Sequence, residues 1–154
     1  MTSRQRGGAP VGHLADLDAV GAGAVMYLRM WADGSVARAR VCDDFRRALP
    51  PAQAGHAVQS MEQMMELCAG YARRPIMRHD VMCSCLGADE ACFANLVGAA
   101  AEGNREDAML LATLMVRPDA APGLTALAER VGLAIQRMAT LPPDMMEHRP
   151  ERLH

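Results

Sequence analysis

The chain has 154 residues, of which 16 are basic and 18 acidic, and about half are apolar. A chain of this length buries about 68–70% of its unfolded surface, enough for one domain with its own core and no disulfide staples. Balanced charge excludes a strong field toward nucleic acid or anionic membrane. The absence of any lysine excludes Schiff-base, Walker-type and general-base lysine chemistry.

Residues 1–13 are polar and glycine-rich. They lack the apolar stretch of a secretory signal and the paired arginines of a twin-arginine signal, and they predict a flexible N-terminal segment. No run reaches the roughly 18 apolar residues of a membrane span. With five cysteines, an odd number, the expected compartment is a reducing cytoplasm, where clustered cysteines serve as ligands or reactive thiols.

Alanine, leucine, methionine and arginine dominate, while β-branched and aromatic residues are scarce. That composition predicts an all-α fold. A first helix is expected from about Asp16 to Ala32, with Val20, Ala24, Tyr27, Leu28 and Trp31 on one stripe. Within it, Gly21-Ala22-Gly23 imitates a dinucleotide fingerprint but lacks the preceding strand such a motif needs. Close packing of a neighbouring helix explains these glycines better.

Gly34 stops this helix, and Ser35 starts a second that reaches Leu49. Pro50-Pro51 breaks the chain before a third helix running to about Arg74. Met61, Met65 and Cys68 share a face of it. Soft copper ligands are of these types, but a methionine stripe in a chain with five aromatics reads first as core filler. Pro75 precedes a short fourth helix, expected over about Ile76 to Leu86.

Asp89 begins a fifth helix with Phe93, Leu96, Val97 and Ala100 inward. Gly103-Asn104 is the clearest boundary, since Asn104 with Asp107 three residues on approximates a capping box. A sixth helix carries Leu110, Leu111, Leu114 and Met115. Asp119 caps a seventh, where Leu124, Leu127, Ala128, Val131, Ile135 and Met138 repeat at helical spacing. Pro142-Pro143 and Pro150 mark a loose tail over 142–154. The expectation is a compact single-domain bundle of six to seven short-to-medium helices over 14–141.

One run carries chemistry: His79, Cys83, Cys85 and Cys92, in the pattern H-x-x-x-C-x-C-x6-C. On a helix, His79 and Cys83 share a face, and Cys85 joins them if the helix ends at Gly87. A closed tetrahedral zinc site would need all four, or Cys68, His56 or Asp80 in place of Cys92. The spacing lacks the C-x2-C knuckles of zinc fingers and ribbons. Free cysteine is also a common small core residue. A redox reading uses Cys83 and Cys85, since the positive neighbours Arg78 and His79 favour the reactive thiolate. C-x-C is not the thioredoxin-like C-x-x-C.

Arg73, Arg74, Arg78 and His79 form the densest basic stretch, open to a phosphate or nucleic-acid contact. Cations at a helix C-terminus also complement its macrodipole. No G-x-S-x-G elbow is present, and Glu62/Glu66, Asp89-Glu90 and Glu106-Asp107 read as helix surface or punctuation. The expected function is a small cytoplasmic helical binding protein, a regulator or adaptor, with a structural thiolate–imidazole metal site, zinc being the expected ion. The alternatives are a metal- or thiol-dependent enzyme or redox sensor at Cys83 and Cys85, and a DNA-binding regulator. A protein partner or self-association is expected, nucleic acid only under the last alternative, and no membrane.

Overall fold

The computed structural model describes residues 6–140. Helix α1, Ala19–Ala32, follows a 3-10 turn at Leu14–Asp16 and is capped by Asp18, whose carboxylate accepts the Gly21 N–H at 2.7 Å. Gly34, at φ 113°, turns the chain into α2, Ser35–Ala48. That left-handed backbone suits glycine alone among common residues. Pro51 opens α3, Pro51–Tyr71, at the first-turn position where its missing N–H costs nothing.

Helix α4 spans Ala88–Ala101. Gly103, at φ 81°, then leads through the Asn104 cap to α5, Arg105–Met115. A 3-10 turn at Pro118–Ala120 precedes α6, Ala121–Thr140. Asp119 therefore lies in that turn, just upstream of the helix it was expected to cap.

Helix α6 packs against each of the other five helices. Leu124, Leu127, Ala128, Val131 and Ile135 are all buried there. Two close approaches set the spacing. A Cβ on Gly132 would stand 2.9 Å from both the Ala101 Cβ and the Val97 carbonyl oxygen of α4. One on Gly23 would stand 2.8 Å from Ile135 Cγ2. The glycine pair in α1 thus serves helix packing, as its lack of a preceding strand implied.

Phe45 and Phe93 are wholly buried in the same core as Met61, Met64, Met65 and Cys68. Side chains of this size stabilise by about 1.5–3 kcal/mol each when fully removed from water. The methionine stripe is core.

The fold is an all-α, compact single-domain bundle of six helices among the described residues, in agreement with the composition. None of these helices is long and apolar enough to cross a membrane. Two expectations need correction. Residues 72–84 form no helix, so the fourth helix expected over Ile76–Leu86 is instead a turn-rich loop leading into strand β2. Part of the N-terminal segment is ordered as well. Pro10–His13 forms β1, antiparallel to β2, Cys85–Gly87, with His13 opposite Cys85 and Gly12 opposite Leu86. The tail over 142–154 lies outside the described residues.

A candidate thiol–imidazole site on an arginine-anchored loop

The loop from Ala72 to Ser84 gains its shape from two carboxylates in the first turn of α4. Asp89 receives both terminal nitrogens of Arg74, at 2.8 and 2.7 Å, and the Met77 N–H at 2.8 Å. This bidentate fork is the strong form of an arginine–carboxylate contact. Gly7 passes directly over it, where any Cβ would collide with Arg74 and Asp89.

Glu90 lies deeper. Its carboxylate takes Arg29 Nε at 2.6 Å and Nη2 at 3.0 Å, the Gly87 N–H at 3.0 Å and the His79 N–H at 3.4 Å. Burial alone would raise the Glu90 pKa. The Arg29 hydrogen bond and the backbone donors prevail and hold it below the usual carboxylate range.

Arg29 spends its other donors on the loop backbone. Nη1 donates to the carbonyls of Asp80, at 3.1 Å, and Cys83, at 2.7 Å, while Nη2 donates to Cys85 at 2.7 Å. A guanidinium carries five N–H donors, and all five are matched. Its hydrogen bond to Glu90 raises the Arg29 pKa above its ordinary value despite burial, so the cation persists inside the fold. No buried side-chain nitrogen or oxygen among the described residues lacks a partner.

On this frame the loop carries His79 and Cys83. The Cys83 N–H closes a turn onto the Asp80 carbonyl at 2.9 Å, bringing Cys83 Sγ to 3.7 Å from His79 Nδ1. The pair meets through this turn, and not through the helical spacing expected from the sequence. His79 Nε2 lies 2.9 Å from the Gly8 carbonyl oxygen. A carbonyl only accepts, so Nε2 carries the proton in the neutral ring and Nδ1 presents its lone pair to the thiol. Gly87 makes room for the ring, since a Cβ there would lie 3.0 Å from His79 Cδ2. Both His79 and Cys83 are half-buried.

The remaining predicted ligands are elsewhere. Cys85 is half-buried in β2, opposite His13. Cys92, on α4, directs its thiol to the Leu111 carbonyl at 3.8 Å, and burial pushes its pKa up. Cys68 is buried in the core, where desolvation pushes its thiol up to about 12. His56 is exposed on α3, and Asp80 contributes its carbonyl to the Arg29 network. Among the described residues, no three His, Cys, Asp or Glu side chains are grouped to hold a metal ion.

Sequence reading missed Arg29 and treated Asp89-Glu90 as helix punctuation. One signal was present. Arg29 lies four residues after Val25 and beside Leu28, on the apolar stripe of α1, where an unpaired cation would be prohibitive.

No family model, curated protein or solved structure matches the chain.

Proposed function

We propose that the chain is a small helical binding protein, a regulator or adaptor, whose state is set by oxidation of Cys83. The observation that carries this reading is the 3.7 Å approach of Cys83 Sγ to His79 Nδ1, the ring nitrogen opposite the Gly8 carbonyl contact. Among the five cysteines, all of which are free, only Cys83 has an imidazole partner among the described residues. Activation of a thiol by an adjacent base is the usual route to a reactive cysteine.

The oxidant class is a hydroperoxide. The thiol proton passes to His79 Nδ1 as sulfur attacks one peroxide oxygen and the O–O bond breaks. Cys83 becomes a sulfenic acid, oxidised by two electrons. With hydrogen peroxide, the departing oxygen takes the proton from the imidazolium and leaves as water. Cys85, two residues on, is the nearest thiol in sequence for condensation to a disulfide, with loss of a second water. Arg29 holds the carbonyls of both cysteines, so a change at either sulfur strains the anchor of the whole loop. Met82, 93% exposed beside Cys83, and the exposed Leu110 and Leu114 on α5 supply apolar contacts for a protein partner.

A second reading rests on the same distance. Zinc–sulfur and zinc–nitrogen bonds of about 2.3 and 2.0 Å at a tetrahedral angle separate the two ligands by about 3.5 Å. His79 and Cys83 are thus spaced as half of a zinc site, with two further ligands required.

The test exposes reduced, metal-free protein to hydrogen peroxide, traps sulfenic acid with dimedone and maps the adduct by mass spectrometry. Cys83 is expected to label first, and His79→Gln to slow it at least about tenfold without changing Cys42. Equal labelling of Cys83 and Cys42, or no effect of His79→Gln, overturns the redox reading. Stoichiometric zinc in the untreated protein, lost in Cys83→Ser, would favour the second.

A further inference from the structure

Helices α1 and α3, Arg38 on α2 and the segment 72–78 line an open groove of about 770 Å³, within the range that small-molecule sites occupy. Its apolar lining includes the buried Leu28 and Met65 and the half-buried Trp31. Its rim is cationic. Arg38, Arg73 and Arg78 line it and are exposed, and none is ion-paired with a carboxylate among the described residues. Arg74 also lines the groove, but Asp89 neutralises it. Glu66 is the one carboxylate among the lining residues, against three guanidinium groups without a carboxylate partner among the described residues. In a chain with a net charge of −2, this is a local excess of positive charge.

The three cations are positioned by backbone carbonyls. Arg38 Nε donates to Trp31 O at 2.6 Å, and its guanidinium lies 5.5 Å from the Trp31 ring centroid. Arg73 Nε donates to Thr113 O at 2.6 Å and Val116 O at 3.2 Å, bracing the loop against α5. Arg78 Nη1 donates to Ile76 O at 3.2 Å. Carbonyl contacts orient a guanidinium without cancelling its charge, and they leave further N–H groups to meet an anion. The fork geometry of arginine suits carboxylate and phosphate.

We propose that this groove binds a small amphipathic anion. Its apolar body lies on Leu28, Met65 and Trp31, and its carboxylate or phosphate is held between Arg38, Arg73 and Arg78. The basic stretch read from the sequence is thereby divided: Arg74 anchors the loop, His79 approaches Cys83, and Arg73 and Arg78 are among the residues that line the groove. This site is independent of the thiol reading.

Trp31 is the only tryptophan in the chain and reports on the groove directly. The test titrates the full-length protein with decanoate, decyl phosphate, decanol and inorganic phosphate, followed by tryptophan fluorescence and calorimetry. Decanoate or decyl phosphate is expected to saturate below about 1 mM, and comparing the two identifies the preferred headgroup. Decanol and inorganic phosphate are each expected to bind at least about tenfold more weakly. Arg78→Ala, which loses only a bond to its neighbour Ile76, is expected to keep the melting temperature and weaken binding by about fivefold or more. Equal binding of decanol, equal binding of inorganic phosphate, no saturation by either anionic amphiphile, or unchanged affinity in Arg78→Ala overturns the proposal.

Discussion

Arg29 and Glu90 are 61 positions apart in the chain and joined by two hydrogen bonds, of 2.6 and 3.0 Å, with neither side chain exposed to solvent. The pair connects α1 to the first turn of α4, and the same guanidinium gathers three carbonyls of the intervening loop. Removing one member strands a buried charge, which typically costs about 3–5 kcal/mol. Glu90→Gln and Arg29→Met are each expected to lose stability of this order in equilibrium urea unfolding. The double variant Arg29→Met/Glu90→Leu should lose less than the two single losses together, because it leaves no orphaned charge. A loss under about 1 kcal/mol in either single variant would count against the anchor.

The same pair fixes a pH dependence. Glu90 is held below its unfolded value of about 4.3. The stability it contributes is therefore complete above that value and lost as pH falls through the lower, folded one. Urea midpoints measured from about pH 6 down to pH 2.5 should fall steeply below about pH 4 in the wild type. The fall should be shallower in Glu90→Gln, and parallel curves would show that other carboxylates govern the acid limb.

Gly87→Ala tests the placement of His79 without removing its imidazole. The backbone at Gly87, φ −79°, accepts alanine, but the new methyl would crowd His79 Cδ2 at 3.0 Å and Nε2 at 3.1 Å. The ring must shift from Gly8 and Cys83. We expect a loss of about 1–3 kcal/mol together with slower alkylation of Cys83 by iodoacetamide. An unchanged alkylation rate would mean that the ring position is immaterial to the thiol.

The five thiols should separate kinetically. Cys83 and Cys85 are half-exposed in the loop and strand, whereas Cys68 is buried and its thiol is pushed up to about 12 by desolvation. Burial also raises Cys42 and Cys92. With a disulfide reagent at neutral pH, Cys68 is expected to react only at the rate of global unfolding, after the other four. Early labelling of Cys68, identified by peptide mapping, would contradict the packing of α3.

Gly132→Ala separates fold from site. Its methyl would meet Ala101 Cβ and the Val97 carbonyl at 2.9 Å, forcing α6 from α4 at a cost of about 1–3 kcal/mol. Alkylation of Cys83 in the folded variant should match the wild type, because the thiol loop does not cross that contact. A change in its rate would couple the loop to the α4–α6 interface.

Local chemistry determined most of the helices by itself. Gly34, Pro50-Pro51 and Gly103-Asn104 act within a few residues of themselves, so the boundaries they mark are visible in sequence and agree with α1, α2, α3 and α5 to within a few positions. The stripe Leu124, Leu127, Ala128, Val131 and Ile135 announced α6 and its buried face in the same way. Which side of a helix finds a neighbour is a different matter. Leu110 and Leu114 repeat at helical spacing, yet they are 66% and 69% exposed, because no element among the described residues covers that side of α5.

The loop was decided wholly by tertiary structure. A helix over 76–86 would need the carbonyls of Asp80 and its neighbours for its own amides. Arg29, more than 50 positions earlier, takes those of Asp80, Cys83 and Cys85 instead. That competition brings His79 to Cys83 while Cys92 turns toward Leu111 and Cys68 enters the core. Spacing along the chain names residues capable of chemistry, but a buried charge seeking acceptors decides which of them meet.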